Sequence, residues 1–340
     1  MRALRIKAWG GPLEATDVER PSPGAGEVLI RVEACGIGLT VVNCMQGQLG
    51  DDPAFLPLTP GHELVGVVES AGPGVPAAVI GQRVAAYFYL VCGSCPRCLA
   101  AEDSLCERFR GNVGVAIDGG YAEYAVLPAL NAIGVPDGVD PVAATTIPDA
   151  IATPVHVARR AGLAPGTRVA VLAAGGGVGI HMVQVARAYG ADVAGLDVVP
   201  QKLAYLADSL GVAAVDSSDF AAIQLPASWG GQADVVVDLY GRAPAQRWAI
   251  EHLARNGVLV ALTTFPGEQF AVSSRELVQR QLSVLGSRYN SRHEVGLAAS
   301  LVRSGRVRPV VSAVVGLDGV AATLDAVRAG TILGRAALAW

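Results

Sequence analysis

The chain has 340 residues, 51% of them hydrophobic and 16% charged, with a net charge of −4. A single core seldom grows past about 250–300 residues, so two domains are expected, and this apolar content excludes a disordered chain. Slight acidity without any Lys/Arg cluster argues against a nucleic-acid binder.

Residues 1–9 alternate apolar and polar side chains and predict a strand. They do not predict a signal peptide, which needs a continuous apolar run and a cleavage site. Short alternating runs follow at 27–33, 63–69 and 83–87, parted by the turn signals Pro21-Ser-Pro-Gly24 and Ala71-Gly-Pro-Gly74. That texture predicts an antiparallel, β-rich domain over 1–150. It changes near Ala150. Strand-like runs at 169–173, 192–196, 235–239 and 258–262 now alternate with helical periods at 178–189, 201–210 and 243–252. Such alternation predicts an α/β domain over 151–290, a doubly wound parallel sheet with helices on both faces. A strand at 310–315, a helix at 319–328 and a strand at 336–340 are expected to rejoin the first domain, so that 291–340 completes it. The most apolar stretch, 169–180, is full of glycine and predicts no membrane span. A soluble, cytoplasmic chain is expected.

Four of the six cysteines, Cys92, Cys95, Cys98 and Cys106, stand in a C-x2-C-x2-C-x7-C run. Six are too few for a disulfide scaffold, and four in one tight loop favour a metal. Four thiolates fill the tetrahedral shell of zinc and leave no position for substrate, so the predicted site is structural.

The strand at 169–173 runs into Ala174-Gly175-Gly176-Gly177-Val178-Gly179 and then a helix. In a G-x-G-x-x-G frame Ala174 takes the first position, Gly176 the second and Gly179 the third. The second glycine admits a pyrophosphate to the backbone and the third lets helix and strand pack. The helix N-terminus offers free N–H groups to the phosphates. Asp197 ends the next strand, where a carboxylate would hydrogen-bond an adenine ribose and repel a 2′-phosphate, so NAD is expected over NADP. Lys202 follows within reach of the same ribose.

These features resemble the zinc-containing alcohol dehydrogenases of the medium-chain dehydrogenase/reductase superfamily. The resemblance rests on Pro60-Gly61-His62-Glu63, the cysteine loop, Gly119-Gly120-Tyr121-Ala122-Glu123-Tyr124, the glycine turn with Asp197, and Gly305-Arg-Val-Arg-Pro309. It implies a GroES-like catalytic domain, a Rossmann domain, an NAD-linked oxidoreductase and a homodimer or homotetramer. It also implies a second, catalytic zinc on His62 and Asp149, with Glu63 binding or flanking the metal. Thr40 matches the residue that hydrogen-bonds the substrate oxygen, and Arg292 an arginine near the cofactor pyrophosphate. Gly38 stands where the first zinc-binding cysteine belongs, Val41 where an aspartate supports the histidine, and Asn43 where a histidine ends a proton relay. Two chemistries therefore stay open. One is alcohol/carbonyl interconversion with a rearranged zinc site, to which Cys44 is a less favoured substitute ligand. The other is reduction of an activated C=C or C=N bond without catalytic zinc, with Thr40, Tyr87 or Tyr89 as hydrogen-bond donor. The apolar residues Leu49, Phe55, Leu56, Tyr87, Tyr89 and Phe265 suggest a hydrophobic substrate.

Overall fold

The computed structural model describes every residue except Pro266. The chain forms two compact units. The first comprises Met1–Ala152, Asn290–Ser304 and Pro309–Trp340, the second Thr153–Tyr289 and Gly305–Arg308.

The first unit contains β1 (Arg2–Ile6), β2 (Leu13–Asp17), β3 (Glu27–Ile37), β4 (Leu64–Ala71), β5 (Arg83–Ala86), β6 (Tyr124–Pro128) and β7 (Ala132–Gly134). The second contains β8 (Arg168–Leu172), β9 (Asp192–Asp197), β10 (Ala213–Asp216), β11 (Ala233–Asp238), β12 (Leu253–Ala261) and β13 (Ser283–Gly286). After it, β14 (Val311–Val315) and β15 (Arg335–Ala339) return to the first.

In the first unit the sheet runs β14-β15-β3-β4-β5-β7, with β6 also paired to β3. The central strand β3 is antiparallel to β4, β6 and β15, and its residues are buried except Arg31 and the half-buried Glu27 and Glu33. That register sets Ala336 opposite Ile37, which carries Arg335 beside Gly38.

In the second unit six strands run in the order β10-β9-β8-β11-β12-β13, all parallel. Their continuous apolar runs, such as Val235-Val-Val237, suit strands covered on both faces. Strand order reverses between β8 and β11, so the turn leaving β8 lies at the switch point where such sheets bind ligands. The short strands β10 and β13 and the helices Ser274–Arg280 and Arg292–Arg303 were not anticipated. The last does carry a readable start, the capping box Ser291 to Glu294. No helix among the described residues is long and apolar enough to cross a membrane.

Candidate active site and metal centres

Cysteine loop. The four sulfurs converge: Cys92 and Cys98 lie 4.0 Å apart, Cys95 and Cys106 4.0 Å, and Cys106 and Cys92 3.6 Å. A tetrahedron with metal–sulfur bonds of about 2.3 Å has an edge of about 3.8 Å, so the loop already has zinc's shape. Backbone N–H groups of Cys92 and Cys95 point at Sγ of Cys106 and Cys92, each at 3.3 Å. Such donors favour thiolate, and hydrogen bonding, first from the Ser94 backbone, brings the Cys92 thiol down to about 5. Between Cys98 and Cys106 the turn Asp103–Leu105 buries Asp103, whose carboxylate accepts from Arg292 at its backbone N (2.9 Å), Nε (3.2 Å) and Nη2 (2.9 Å). The guanidinium expected near a pyrophosphate is thus oriented by a carboxylate of the cysteine loop.

The buried cluster of the first unit. His62, Glu63 and Asp149 come together, with one ligand atom from each lying within 4.8 Å of the others. Gly61 positions His62 by taking a φ of +101°, and a Cβ there would stand 2.5 Å from the Tyr121 ring. The His62 ring tilts against Phe88 with centroids 4.7 Å apart, and its Nε2 lies 3.3 Å from Asp149 Oδ2. Asp149 sits in a π-turn, Ile147–Ile151, closed by the Ile151 N–H on the Thr146 carbonyl at 2.9 Å. Single π-turns often re-aim a functional side chain. Asn290 braces the turn, donating to the Pro148 carbonyl at 2.9 Å.

A fourth residue, unanticipated from the sequence, completes the cluster. Arg335 Nη2 donates to Glu63 Oε1 at 2.9 Å and to Asp149 Oδ2 at 3.1 Å. Its side chain is 11% exposed, against 0% for Glu63 and 7% for Asp149. Burial pushes the Glu63 carboxyl up and Arg335 pulls it back down. Glu63 Oε2 is buried with no hydrogen-bond partner among the described residues. It occupies the space a side chain at Gly36 would need, 2.1 Å from the Cβ position there. The donors have the spacing of a metal site, and a guanidinium bonds both of its carboxylates.

The other expected site residues are placed as follows. Thr40 is the second residue of the helix Leu39–Met45, directly after Gly38, and is half-buried. Val41 is buried and apolar. Cys44 is buried with its thiol on the Gly114 carbonyl at 3.4 Å, and is not among the clustered donors. The Tyr87 hydroxyl donates to the Asn290 carbonyl at 2.8 Å, and burial raises it, so it serves the packing.

The dinucleotide turn of the second unit. Helix Gly177–Ala188 begins directly after the turn that leaves β8, and Ala173 there takes a left-handed φ of +56°. A Cβ at Gly179 would meet the Ala173 carbonyl at 2.2 Å and Ala174 Cα at 2.8 Å, which is the close helix–strand approach a third glycine permits. A Cβ at Gly176 would meet only the Ala173 carbonyl, at 3.3 Å, so the protein leaves that side open. The Asp197 carboxylate receives N–H groups from Gly175 (2.8 Å), Val198 (2.8 Å) and Val199 (3.1 Å). Three donors fix it in place, and a carboxylate has about four acceptor sites, so one remains for a ribose hydroxyl. The Lys202 stem packs under Gly175, and burial lowers its ammonium.

Two family models match the chain in succession. The family model described as alcohol dehydrogenase GroES-like domain matches residues 24–137, and that described as zinc-binding dehydrogenase matches 177–304. The chain is 34% identical over 341 residues to an alcohol dehydrogenase of Geobacillus stearothermophilus, covering 99% of each. It is 27% identical to an acryloyl-coenzyme A reductase of Metallosphaera sedula, covering 94% of each. It superposes with a TM-score of 0.88 on the cobalt- and zinc-bound thermostable alcohol dehydrogenase of Pyrobaculum aerophilum, 32% identical, covering 100% of this chain and 99% of that one. The chain belongs to the zinc-containing alcohol dehydrogenase family of the medium-chain dehydrogenase/reductase superfamily.

Proposed function

We propose that the chain is an NAD(H)-dependent oxidoreductase of the alcohol dehydrogenase/carbonyl reductase type. It moves hydride between the nicotinamide and a hydrophobic alcohol or carbonyl compound. The observation that carries this reading is the family's polar cluster, His62, Glu63 and Asp149, buried together in one unit. A dinucleotide turn in the other unit, with a fixed Asp197 carboxylate, supports it. In this reading Gly175 to Gly179 and the helix behind them hold the pyrophosphate, aided by Arg292. Asp197 and Lys202 hold the adenine ribose, and Asp197 selects NAD by repelling a 2′-phosphate. Thr40 donates its hydroxyl to the substrate oxygen, and the buried cluster sets the charge around it. Leu49 and Phe55, 40% and 41% exposed, offer apolar surface to a substrate. We further propose a cytoplasmic homodimer or homotetramer. The cysteine loop suits a reducing compartment, and β13 ends its sheet with Val284 40% exposed, an edge that pairing would cover.

A second reading, metal-independent reduction of an activated double bond, is favoured by Gly38 and by Arg335 on Glu63 and Asp149. The acryloyl-coenzyme A reductase relative is consistent with it. Nicotinamide absorbance, followed over alcohols, aldehydes, ketones and an α,β-unsaturated thioester with NAD(H) and NADP(H), tests both. Alcohol or carbonyl turnover supports the first reading. Turnover confined to the unsaturated substrate supports the second, and no turnover with any substrate overturns both.

A further inference from the structure

The corner that a first zinc ligand would occupy is not an empty one. Arg335 Nη1 lies 2.7 Å from the point where a side chain at Gly38 would place its Cβ, and Nη2 of the same guanidinium reaches both Glu63 and Asp149. A cysteine at position 38 and this arginine conformation exclude each other. We infer that Gly38 and Arg335 are a compensating pair. The guanidinium fills the missing ligand's place and supplies the positive charge for the two buried carboxylates, so the His62–Glu63–Asp149 cluster stands without a metal while the cysteine loop holds zinc. This inference rests on the family reading of the cluster, and not on the substrate assigned to it.

The carboxylates' existing partner sharpens the point. Glu63 and Asp149 already share one guanidinium, so a metal ion would have to compete with it for both. The glycine removes a soft ligand that would favour zinc in that competition. An incoming ion would also have to displace the arginine from carboxylates it already bonds.

The test is metal stoichiometry. Purified wild-type protein is incubated with excess zinc, and separately with cobalt, freed of loose metal by gel filtration and measured by elemental mass spectrometry. One metal per chain is expected, and two would overturn the inference. With cobalt, the visible spectrum of wild type should show tetrathiolate coordination alone, and a nitrogen/oxygen component would count equally against the inference. In G38C and in the double variant G38C/R335M the count should rise to two. A folded double variant that still binds one metal would overturn the pairing. If neither variant folds, the wild-type count and spectrum decide. Turnover is read separately: two metals with turnover sinks this inference and keeps the proposed function, whereas one metal without turnover does the reverse.

Discussion

Replacing Asp197 with alanine tests the cofactor site at its most constrained residue. The carboxylate is held by the N–H groups of Gly175, Val198 and Val199, so its position is fixed before any ligand arrives. A charge-assisted hydrogen bond to a ribose hydroxyl is worth about 1.5–3 kcal/mol, and its loss should lower kcat/KM for NAD roughly 10–150-fold. The effect on NADP has the opposite sign. A 2′-phosphate carrying nearly two charges, ~5 Å from the carboxylate at an effective dielectric of ~20–80, is repelled by ~2–7 kcal/mol. Removing the carboxylate should therefore shrink the NAD over NADP preference by roughly 30-fold or more. The variant also leaves three N–H groups seeking water, which lowers stability. That loss is common to both cofactors, so the ratio of the two kcat/KM values isolates the ribose contact. Steady-state assays with each cofactor give the ratio. A preference unchanged within about twofold would remove Asp197 from the ribose site and leave it the task of fastening the turn.

Cys98→Ser should drop zinc below one per chain and weaken the first unit by about 3 kcal/mol or more, lowering the thermal midpoint by ~6 °C or more. Unchanged zinc content and midpoint would show that the loop packs without metal. Gly179→Val places a Cβ 2.2 Å from the Ala173 carbonyl, which is backbone and cannot rotate away. Urea unfolding should show a loss beyond the ~1–3 kcal/mol of ordinary overpacking, and a midpoint equal to wild type would refute the tight contact. Asp234 is held below the usual carboxylate range, chiefly by hydrogen bonding from Arg168. A depressed carboxylate stabilises fully above its unfolded value of ~3.9, and that contribution is lost as pH falls through the folded value. Asp234→Asn should therefore flatten stability against pH below about 4 relative to wild type, and parallel acid limbs would contradict it.

Much of the fold was legible because its signals are local. Each strand–helix unit of the parallel sheet carries its own period, and observed β8, β9, β11 and β12 lie within a few residues of the expected runs. The cysteine loop closes over 15 residues, so spacing alone foretold its convergence. What was not legible is what only long-range pairing creates. Arg335 opens a short strand, 272 positions from Glu63, with nothing in its surroundings to mark it. It reaches the cluster because β15 adds to β3 in one particular register. Asp103 is equally unmarked, and gains its role from Arg292, 189 positions away. The strands β10 and β13, each 4 residues long, lack a pattern long enough to show.

The segment at which the chain re-enters the first unit has a consequence for how the protein is made. Asn290 receives the Tyr87 hydroxyl and braces the Asp149 turn, Arg292 is gripped by Asp103, and β15 flanks β3. All of these partners lie before residue 153, so a nascent chain halted there would present an open edge of β3, a buried acid without its cation and a turn without its brace. The brace and the cation stay missing until Asn290 and Arg292 have been translated, and the β3 edge stays open until β15, Arg335–Ala339, has been. At ~5–20 residues per second the last of these is a wait of roughly 10–40 s on the ribosome. The nearly contiguous second unit can close during that interval. The unit encoded first is therefore the one that matures last, and a fragment ending at Ala152 should require its carboxy-terminal complement to become native.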